Sequence, residues 1–324
     1  MPRLRALAGR ALQTVRGRAR AAQDGGRGTG GGIAVEVMPP RRTAPRGYLS
    51  AMLVVKDEAR YLEEWLTFHR AVGIEHIYVY DNGSTDETWE MLERFMSEGF
   101  VTRETLSTPH LLTPIAPGVN LQQLAVWHAL ANHGGGWRWM TFLDVDEFLF
   151  PASGDDLRVT LEEFEDLPGL VTFWSMFGFS GHDMPPEGGV VANYTKRGVF
   201  PVGTNTKVIV DPRNVSTVRS IHRIGDRLFD EQRRPFDDVD LTPVRGLQGT
   251  APSGPYLPTN DVFRLHHYYT RSRSEFDAKY RRLIDSGNVT STKMLRLAEL
   301  IERETVEDRS ALRFLPDGGA SAEG

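Results

Sequence analysis

The chain has 324 residues, 40% of them hydrophobic and 25% charged, the make-up of an ordinary soluble globular protein, and its length suits one large α/β domain or two small ones. It contains no cysteine, which excludes disulfides and thiolate metal sites, and no apolar run nears the roughly 20 residues needed to span a bilayer. The net charge of −5 is uneven: seven Arg and one acid, Asp24, precede Ile33, so the remainder carries −11, and an acidic body argues against nucleic-acid binding.

Residues 1–47 read as a basic tail. Leu4, Leu7, Ala8, Ala11, Leu12 and Val15 recur at helical spacing among Arg3, Arg5, Arg10, Arg16 and Arg18. Two readings stand side by side: a basic amphipathic helix on an anionic membrane surface, or a disordered arginine-rich leader. Arginines interrupt any apolar core, which argues against a signal peptide. The expected location is therefore the cytoplasm, peripheral at the inner membrane face where the tail is that helix. Gly-rich 25–32, then Pro39, Pro40 and Pro45, form a linker.

The folded part is expected from Tyr48, as one α/β domain over 48–290. Residues 51–55 are a short apolar strand, followed by Lys56-Asp57-Glu58 and a helix marked by Tyr61, Leu62, Trp65, Leu66, His69 and Val72. Asp57 is the expected N-cap and Gly73 the stop. A second strand, 77–80, closes on Asp81-Asn-Gly-Ser-Thr-Asp86, where Ser84 and Glu87 have capping-box spacing. A second helix carries Trp89, Met91, Leu92 and Phe95, a third strand runs over 100–106, and a third helix carries Leu121 to Leu130. Strands alternating with helices predict a mostly parallel, doubly wound sheet, whose ligands bind at the carboxyl ends of strands.

The next strand decides the chemistry. The apolar run 140–143 ends abruptly in Asp144, Val145, Asp146 and Glu147. Lone carboxylates are costly to bury, so at a strand's carboxyl end they are expected to face a crevice. Two aspartates one residue apart on a bend can share a hard divalent cation, Mg²⁺ or Mn²⁺, which takes oxygen ligands and leaves places for substrate phosphates. This is the logic of the Asp-x-Asp motif in nucleotide-sugar glycosyltransferases. Lys56-Asp57-Glu58 and Asp81 fall at the same rim.

Beyond Pro151 the pattern loosens. A short helix is expected over 159–167 with Thr160 and Glu163 as its cap, a strand over 169–179, and another over 207–210 to which 217–222 would pair. Residues 226–259 read as a long loop or lid, 261–269 as a last strand, and two helices follow, the second over 292–302 within a carboxyl-terminal segment, 291–324, that frays from Asp317.

Lys56-Asp-Glu-Ala-Arg-Tyr-Leu-Glu-Glu-Trp65, Gly73-Ile-Glu-His-Ile-Tyr-Val-Tyr-Asp-Asn-Gly-Ser-Thr-Asp86 and Phe142-Leu-Asp-Val-Asp-Glu-Phe148 resemble glycosyltransferase family 2-like proteins, in the subgroup related to glycosyltransferase family 92. Trp174 to His182 and His267-Tyr-Tyr-Thr-Arg-Ser272 also resemble that subgroup. The resemblance implies a GT-A (Rossmann-like) fold with a less regular carboxyl-terminal acceptor portion. It also implies transfer, with inversion, from a nucleotide-diphosphate sugar, expected to be a UDP-sugar, to a glycan or other hydroxyl acceptor. It places Asp57, Glu58 and Asp81 near the donor's base and ribose, Asp144 and Asp146 at the metal-diphosphate motif, and His267 where a histidine completes the donor site. The chain departs from the subgroup at Asp57 and His266, where Asn is usual, and lacks a clear acid pair matching the catalytic-base motif of typical family 2 enzymes.

From the residues themselves, Lys56 is a candidate for neutralising donor charge, and Asp183, followed by Glu187, is the candidate base that deprotonates the acceptor. His266 and His267 alternate on a strand, so one of them faces the site; His267 is preferred. Lys207 reads either as a phosphate ligand or as surface charge. The second functional reading is a catalytically inactive carbohydrate- or nucleotide-sugar-binding module on the same fold.

Overall fold

A computed structural model describes residues 35–36, 39–106, 121–199, 206–236, 259–285 and 291–316. In chain order the strands are β1 (Val35–Glu36), β2 (Gly47–Val55), β3 (His76–Asp81), β4 (Val101–Thr105), β5 (Trp137–Leu143), β6 (Glu147–Pro151), β7 (Gly169–Met176), β8 (Lys196–Gly198), β9 (Thr206–Val210), β10 (Thr217–Ser220), β11 (Arg223–Ile224), β12 (Leu228–Phe229), β13 (Pro235–Phe236), β14 (Phe263–His267) and β15 (Thr305–Glu307). The helices are α1 (Ala59–Ala71), α2 (Thr88–Ser97), α3 (Leu121–His133), α4 (Leu157–Glu162), α5 (Val190–Asn193), α6 (Arg273–Asp285) and α7 (Ser291–Arg303).

The main sheet runs β13-β12-β7-β9-β5-β2-β3-β4, with β14 bridging β6 and β7. β5, β2, β3 and β4 are mutually parallel, while β9 enters antiparallel between β5 and β7. The chain is thus α/β with a mostly parallel central sheet flanked by helices. The period-two alternation of strands splits the core between two faces. Leu49, Ala51, Leu53, Ile77, Val79, Trp139 and Leu143 pack against α1 and α2. Met52, Tyr78, Tyr80, Met140 and Phe142 pack with Ala125, Val126 and Ala129 of α3. The strand order reverses at β2, whose neighbours are β5 on one side and β3 on the other. Such a reversal opens a crevice at the carboxyl ends of the strands.

Several local expectations are corrected. The body takes in residues ahead of Tyr48: β1 pairs with β10, and Thr43 and Arg46 donate backbone hydrogen bonds to Gly135 and Gly136. The rest of the basic tail, the loop 107–120 and the frayed end from Asp317 lie outside the described residues. Asp57 does not cap α1; its carboxylate accepts from the Thr85 amide at 2.7 Å, and Asp86 accepts from Ala59, the first residue of α1. Ser84 forms no capping box, because its hydroxyl accepts from the Asp57 amide, while Asp86 accepts from Thr88 at the start of α2. These polar side chains tie two neighbouring turns to each other, and that long-range use outcompetes the local cap. The helix after β6 starts at Leu157 and is capped by Asp156 rather than Thr160. β10 pairs with β1 and β11, not with β9. Part of the expected loop 226–259 is ordered as the β12–β13 hairpin; 237–258 lie outside the described residues.

Candidate active site

β5 is buried along nearly its whole length and ends at Leu143. The chain then turns through Asp144, Val145 and Asp146 and returns as β6. The turn closes on itself: Glu147 N–H donates to the Asp144 carbonyl at 3.0 Å, and Asp144 N–H donates to Glu147 Oε2 at 2.9 Å. The Trp65 indole, from α1, donates to the carbonyls of both Asp144 (3.1 Å) and Glu147 (2.8 Å). Two aspartates therefore stand on a rigid, clamped bend.

Their surroundings differ. Asp144 is partly open, its side chain 32% exposed, with Oδ2 paired to Lys207 Nζ at 2.7 Å and Oδ1 near the Gln122 amide at 3.4 Å. Lys207 is 2% exposed and also reaches Glu147 Oε2 at 3.1 Å. Burial opposes the ammonium, but Asp144 and Glu147 outweigh it and raise its pKa, so Lys207 stays charged. Burial pushes Glu147 up to about 8, with Asp144 and Asp146 adding to the rise against the pull of Lys207. Its Oε1 is buried without a hydrogen-bond partner.

Asp146 sits among basic side chains. His267 Nε2 lies 3.5 Å and Lys279 Nζ 3.4 Å from its Oδ2. Burial alone would raise its pKa; His267, Lys279 and Arg271 outweigh burial and hold the carboxyl well below the usual range. β14 supplies His267 in register with Glu147, and Tyr268 N–H donates to the Asp146 carbonyl at 2.8 Å, so strand pairing sets the distance between histidine and aspartate. His266 points the other way, with ring centroids 4.7 Å from Phe150 and 4.5 Å from Phe177. Trp174 packs on the His267 ring at 4.2 Å.

Arg271 closes one side of the site. Its guanidinium is 3.4 Å from Glu58 and 4.0 Å from the Tyr61 ring centroid, its Nε is buried without a hydrogen-bond partner, and its backbone φ is +51°. A non-glycine residue held in that region carries conformational strain of the kind that collects at functional sites. Burial raises the Glu58 pKa against the pull of Arg271.

The chemistry of these groups, two aspartates on a rigid bend, one of them ionised in a largely buried place, with an imidazole 3.5 Å from it, is that of an oxygen-rich Mn²⁺ or Mg²⁺ site. Lys207 and Gln122 hold the two Asp144 oxygens, and among the described residues the group of three ligand atoms within 4.8 Å of one another lies elsewhere, so side chains of the turn must move to share an ion. Among the described residues, a separate cleft of about 550 Å³ lies at the opposite end of β5, lined by Arg138, Asp211, Arg213 and Phe229, and contains none of this constellation.

A family model, Glycosyltransferase family 92, matches residues 49–238, more than half of the chain and all of the β2–β5 core but the first two residues of β2, with its Asp144–Glu147 turn. This chain belongs to glycosyltransferase family 92. It is 28% identical over 173 residues to a family 92 protein of Oryza sativa subsp. japonica, covering 52% of this chain and 28% of that protein. A family 92 protein of Ricinus communis is 25% identical over 173 residues, covering 52% of this chain and 30% of that one. The chain thus spans less than a third of the length of these curated relatives. Among solved structures, S. aureus TarS 1–349 in complex with UDP-GlcNAc aligns with a TM-score of 0.34 at 14% identity, over 84% of this chain and 71% of that chain. Glucosyl-3-phosphoglycerate synthase from Mycobacterium tuberculosis in complex with Mn²⁺, UDP and glucosyl-3-phosphoglycerate gives 0.27 at 18% identity, over 39% and 44%. The family 92 match ends before β14, so His267, Arg271 and Lys279 join the site through the fold alone.

Of the residues singled out in the sequence, Asp144, Asp146, His267 and Glu58 converge. Lys56 and Asp57 lie at the same rim, both exposed. Asp81 is buried and already engaged: Oδ1 accepts from Ser84 N–H at 2.9 Å and Oδ2 from Arg103. It is the Asx turn that ties β3 to β4, with Arg103 and Ser84 holding its pKa down against burial. Asp183 stands apart. Its side chain is 87% exposed, 3.5 Å from Arg273, and the structure gives it no contact with Asp144, Asp146 or His267. Lys207 is neither a surface charge nor an open phosphate ligand. Arg271, Lys279, Gln122 and the Trp65 clamp were not assigned from sequence; Trp65 and Gln122 sit on helices where hydrophobic periodicity explains their neighbours, and only the tertiary fold turns them toward Asp144.

Proposed function

We propose that this chain is a metal-dependent glycosyltransferase that moves a sugar, with inversion, from a nucleotide-diphosphate sugar, a UDP-sugar first, to a glycan or other hydroxyl acceptor. The observation that carries the reading is the clamped Asp144-Val145-Asp146 turn, at the carboxyl end of β5 inside the family 92 match, with His267 3.5 Å from Asp146. Asp144, Asp146 and His267 would hold Mn²⁺ or Mg²⁺, which when bound neutralises the diphosphate leaving group as a Lewis acid.

The chain's own groups do the remaining work. Trp65 and the reciprocal Asp144–Glu147 hydrogen bonds hold the backbone of the turn that carries both carboxylates. Lys207 holds one Asp144 oxygen and the Gln122 amide approaches the other. Lys279, 42% exposed, and Arg271 present positive charge beside Asp146, where a diphosphate would lie. Lys56, Asp57 and Glu58, on the adjoining rim beyond the end of β2, would meet the nucleoside. Acceptor activation needs one positioned carboxylate; the exposure of Asp183 beside Arg273 weighs against its being that base.

The test is sugar transfer or donor hydrolysis from a panel of UDP- and GDP-sugars with Mn²⁺, against the D146N variant and EDTA. The reading expects turnover with at least one donor, abolished by EDTA and by D146N with the far-UV circular dichroism unchanged. Full activity of D146N would remove the metal assignment; glycan binding without turnover or nucleotide binding would favour the inactive binding module.

A further inference from the structure

On the α3 face of the sheet, away from the Asp144 turn, a second cluster of ligating side chains comes together. Glu104 of β4 and His128 and His133 of α3 place one ligand atom each within 4.8 Å of one another. We propose that these three residues form a transition-metal site, with Zn²⁺ as its ion. This inference is independent of the donor-site reading.

The fold builds the site from two elements. Glu104 stands opposite Tyr80 in the parallel β3–β4 register, so its side chain shares the α3 side of the sheet with Tyr80, while Asp81 faces the other side. His133 closes α3 and meets Glu104 Oε1 through Nε2 at 2.9 Å. His128 lies five residues earlier, with its ring centroid 5.7 Å from that of His133.

The donor set is two imidazoles and one carboxylate, which suits a borderline ion better than Mg²⁺ or Ca²⁺. Zinc bonds of about 2.0–2.2 Å bring tetrahedral ligand atoms roughly 3.3 Å apart, a spacing that small side-chain rotations reach from atoms that all lie within 4.8 Å of one another, one pair already at 2.9 Å. Three protein ligands leave a fourth position, and His128 is exposed, so an ion has an entry path and water can complete the shell.

The surroundings orient the rings. The Tyr80 hydroxyl meets His128 Nδ1 at 2.8 Å, and Tyr78 stacks on His133 with centroids 4.1 Å apart and planes 13° off parallel. Partners of this kind fix which imidazole nitrogen faces a metal. The nearby His76 is excluded as a ligand, since its two ring nitrogens are engaged by the Gly99 carbonyl and the Thr102 hydroxyl. The ion pair joins Glu104 to His133 and Tyr80 holds His128; a metal would draw on all three groups at once.

The ion would brace α3 against β4. The same helix carries Gln122, whose amide reaches Asp144 Oδ1, roughly 9 Å along the helix from His128 at 1.5 Å per residue.

The test is calorimetric titration of EDTA-stripped full chain with Zn²⁺ at pH 7.5 in excess Mg²⁺, with Co²⁺ visible spectra as a second readout. D146N serves as the control that removes the donor site. Expected is one equivalent of Zn²⁺ retained in D146N, a tetrahedral Co²⁺ spectrum, and affinity weakened at least about 30-fold in H128Q, H133Q and the milder E104Q. Equal stoichiometry with affinities within threefold across wild type and these variants would overturn the site, as would the absence of tight Zn²⁺ binding to D146N.

Discussion

Replacing Lys207 by Met removes the one buried ammonium that faces both Asp144 and Glu147, at 2.7 and 3.1 Å, from a side chain 2% exposed. Met matches the stem in size, so the change is electrostatic rather than a cavity. Removing one partner of a buried ion pair costs about 3–5 kcal/mol because it strands the other charge. Two features moderate that here. Asp144 is 32% exposed and so remains partly hydrated, and Glu147, pushed up to about 8, is already largely protonated at pH 7. The expected loss is therefore about 3 kcal/mol at pH 7, or about 6–12 °C in Tm. Urea unfolding in EDTA, read as a drop in midpoint at constant slope, measures it. K207M combined with D144N should regain about half, since no carboxylate is then left stranded by the lost ammonium. A K207M variant within about 1 kcal/mol of wild type would refute the coupling of Lys207 to the turn.

Arg271→Ala and Lys279→Ala should each weaken binding of nucleoside diphosphate in Mn²⁺ by about tenfold or more, a loss of about 1.4 kcal/mol, in equilibrium titrations; unchanged affinity in both would remove them from the site. Asp183→Asn should leave turnover within about threefold of wild type, under 1 kcal/mol in the barrier; a loss of about 100-fold would restore Asp183 as the acceptor's base. Burial lowers the His69 pKa from 6.5 to about 3, and its ring bonds Trp65 O at 2.8 Å and Leu149 N–H at 3.3 Å in the neutral form. The unfolded chain therefore binds the extra proton, so this contribution is present above about pH 6.5 and lost as pH falls toward 3. Between pH 7 and 5, wild type should lose about 2 kcal/mol more than H69Q in urea midpoints; parallel pH profiles would contradict the assignment.

The central half of the fold was legible because its signals are local. Alternating apolar strands and amphipathic helices from Ala51 to Leu143 reproduce the β2–β5 order, and an apolar strand ending in Asp144-Val145-Asp146 marks the crevice without help from any distant residue. His267 could be preferred over His266 because strand alternation allows one of them to face the turn, and β14 does place it there. What failed was set by partners far along the chain. Asp57 and Ser84 have good capping chemistry, but they face each other across 27 residues and spend their hydrogen bonds on that contact. Lys207 reads as a lone charge in an apolar strand until β9 is seen to insert antiparallel beside β5. Arg271 stands in the His267–Ser272 motif, yet its role depends on β14 and α6 folding back over Tyr61 and Glu58, which no periodicity records.

The most direct measurement of the account is a thermal-shift titration of the wild-type chain and D146N with UDP, GDP and their sugars, with and without Mn²⁺. A ligand bound only by the native state stabilises it by about 2.7 kcal/mol at a hundredfold excess over Kd. The account predicts a shift in wild type that requires both Mn²⁺ and one nucleotide, and none in D146N. A nucleotide shift that persists without a divalent cation and survives D146N would contradict it.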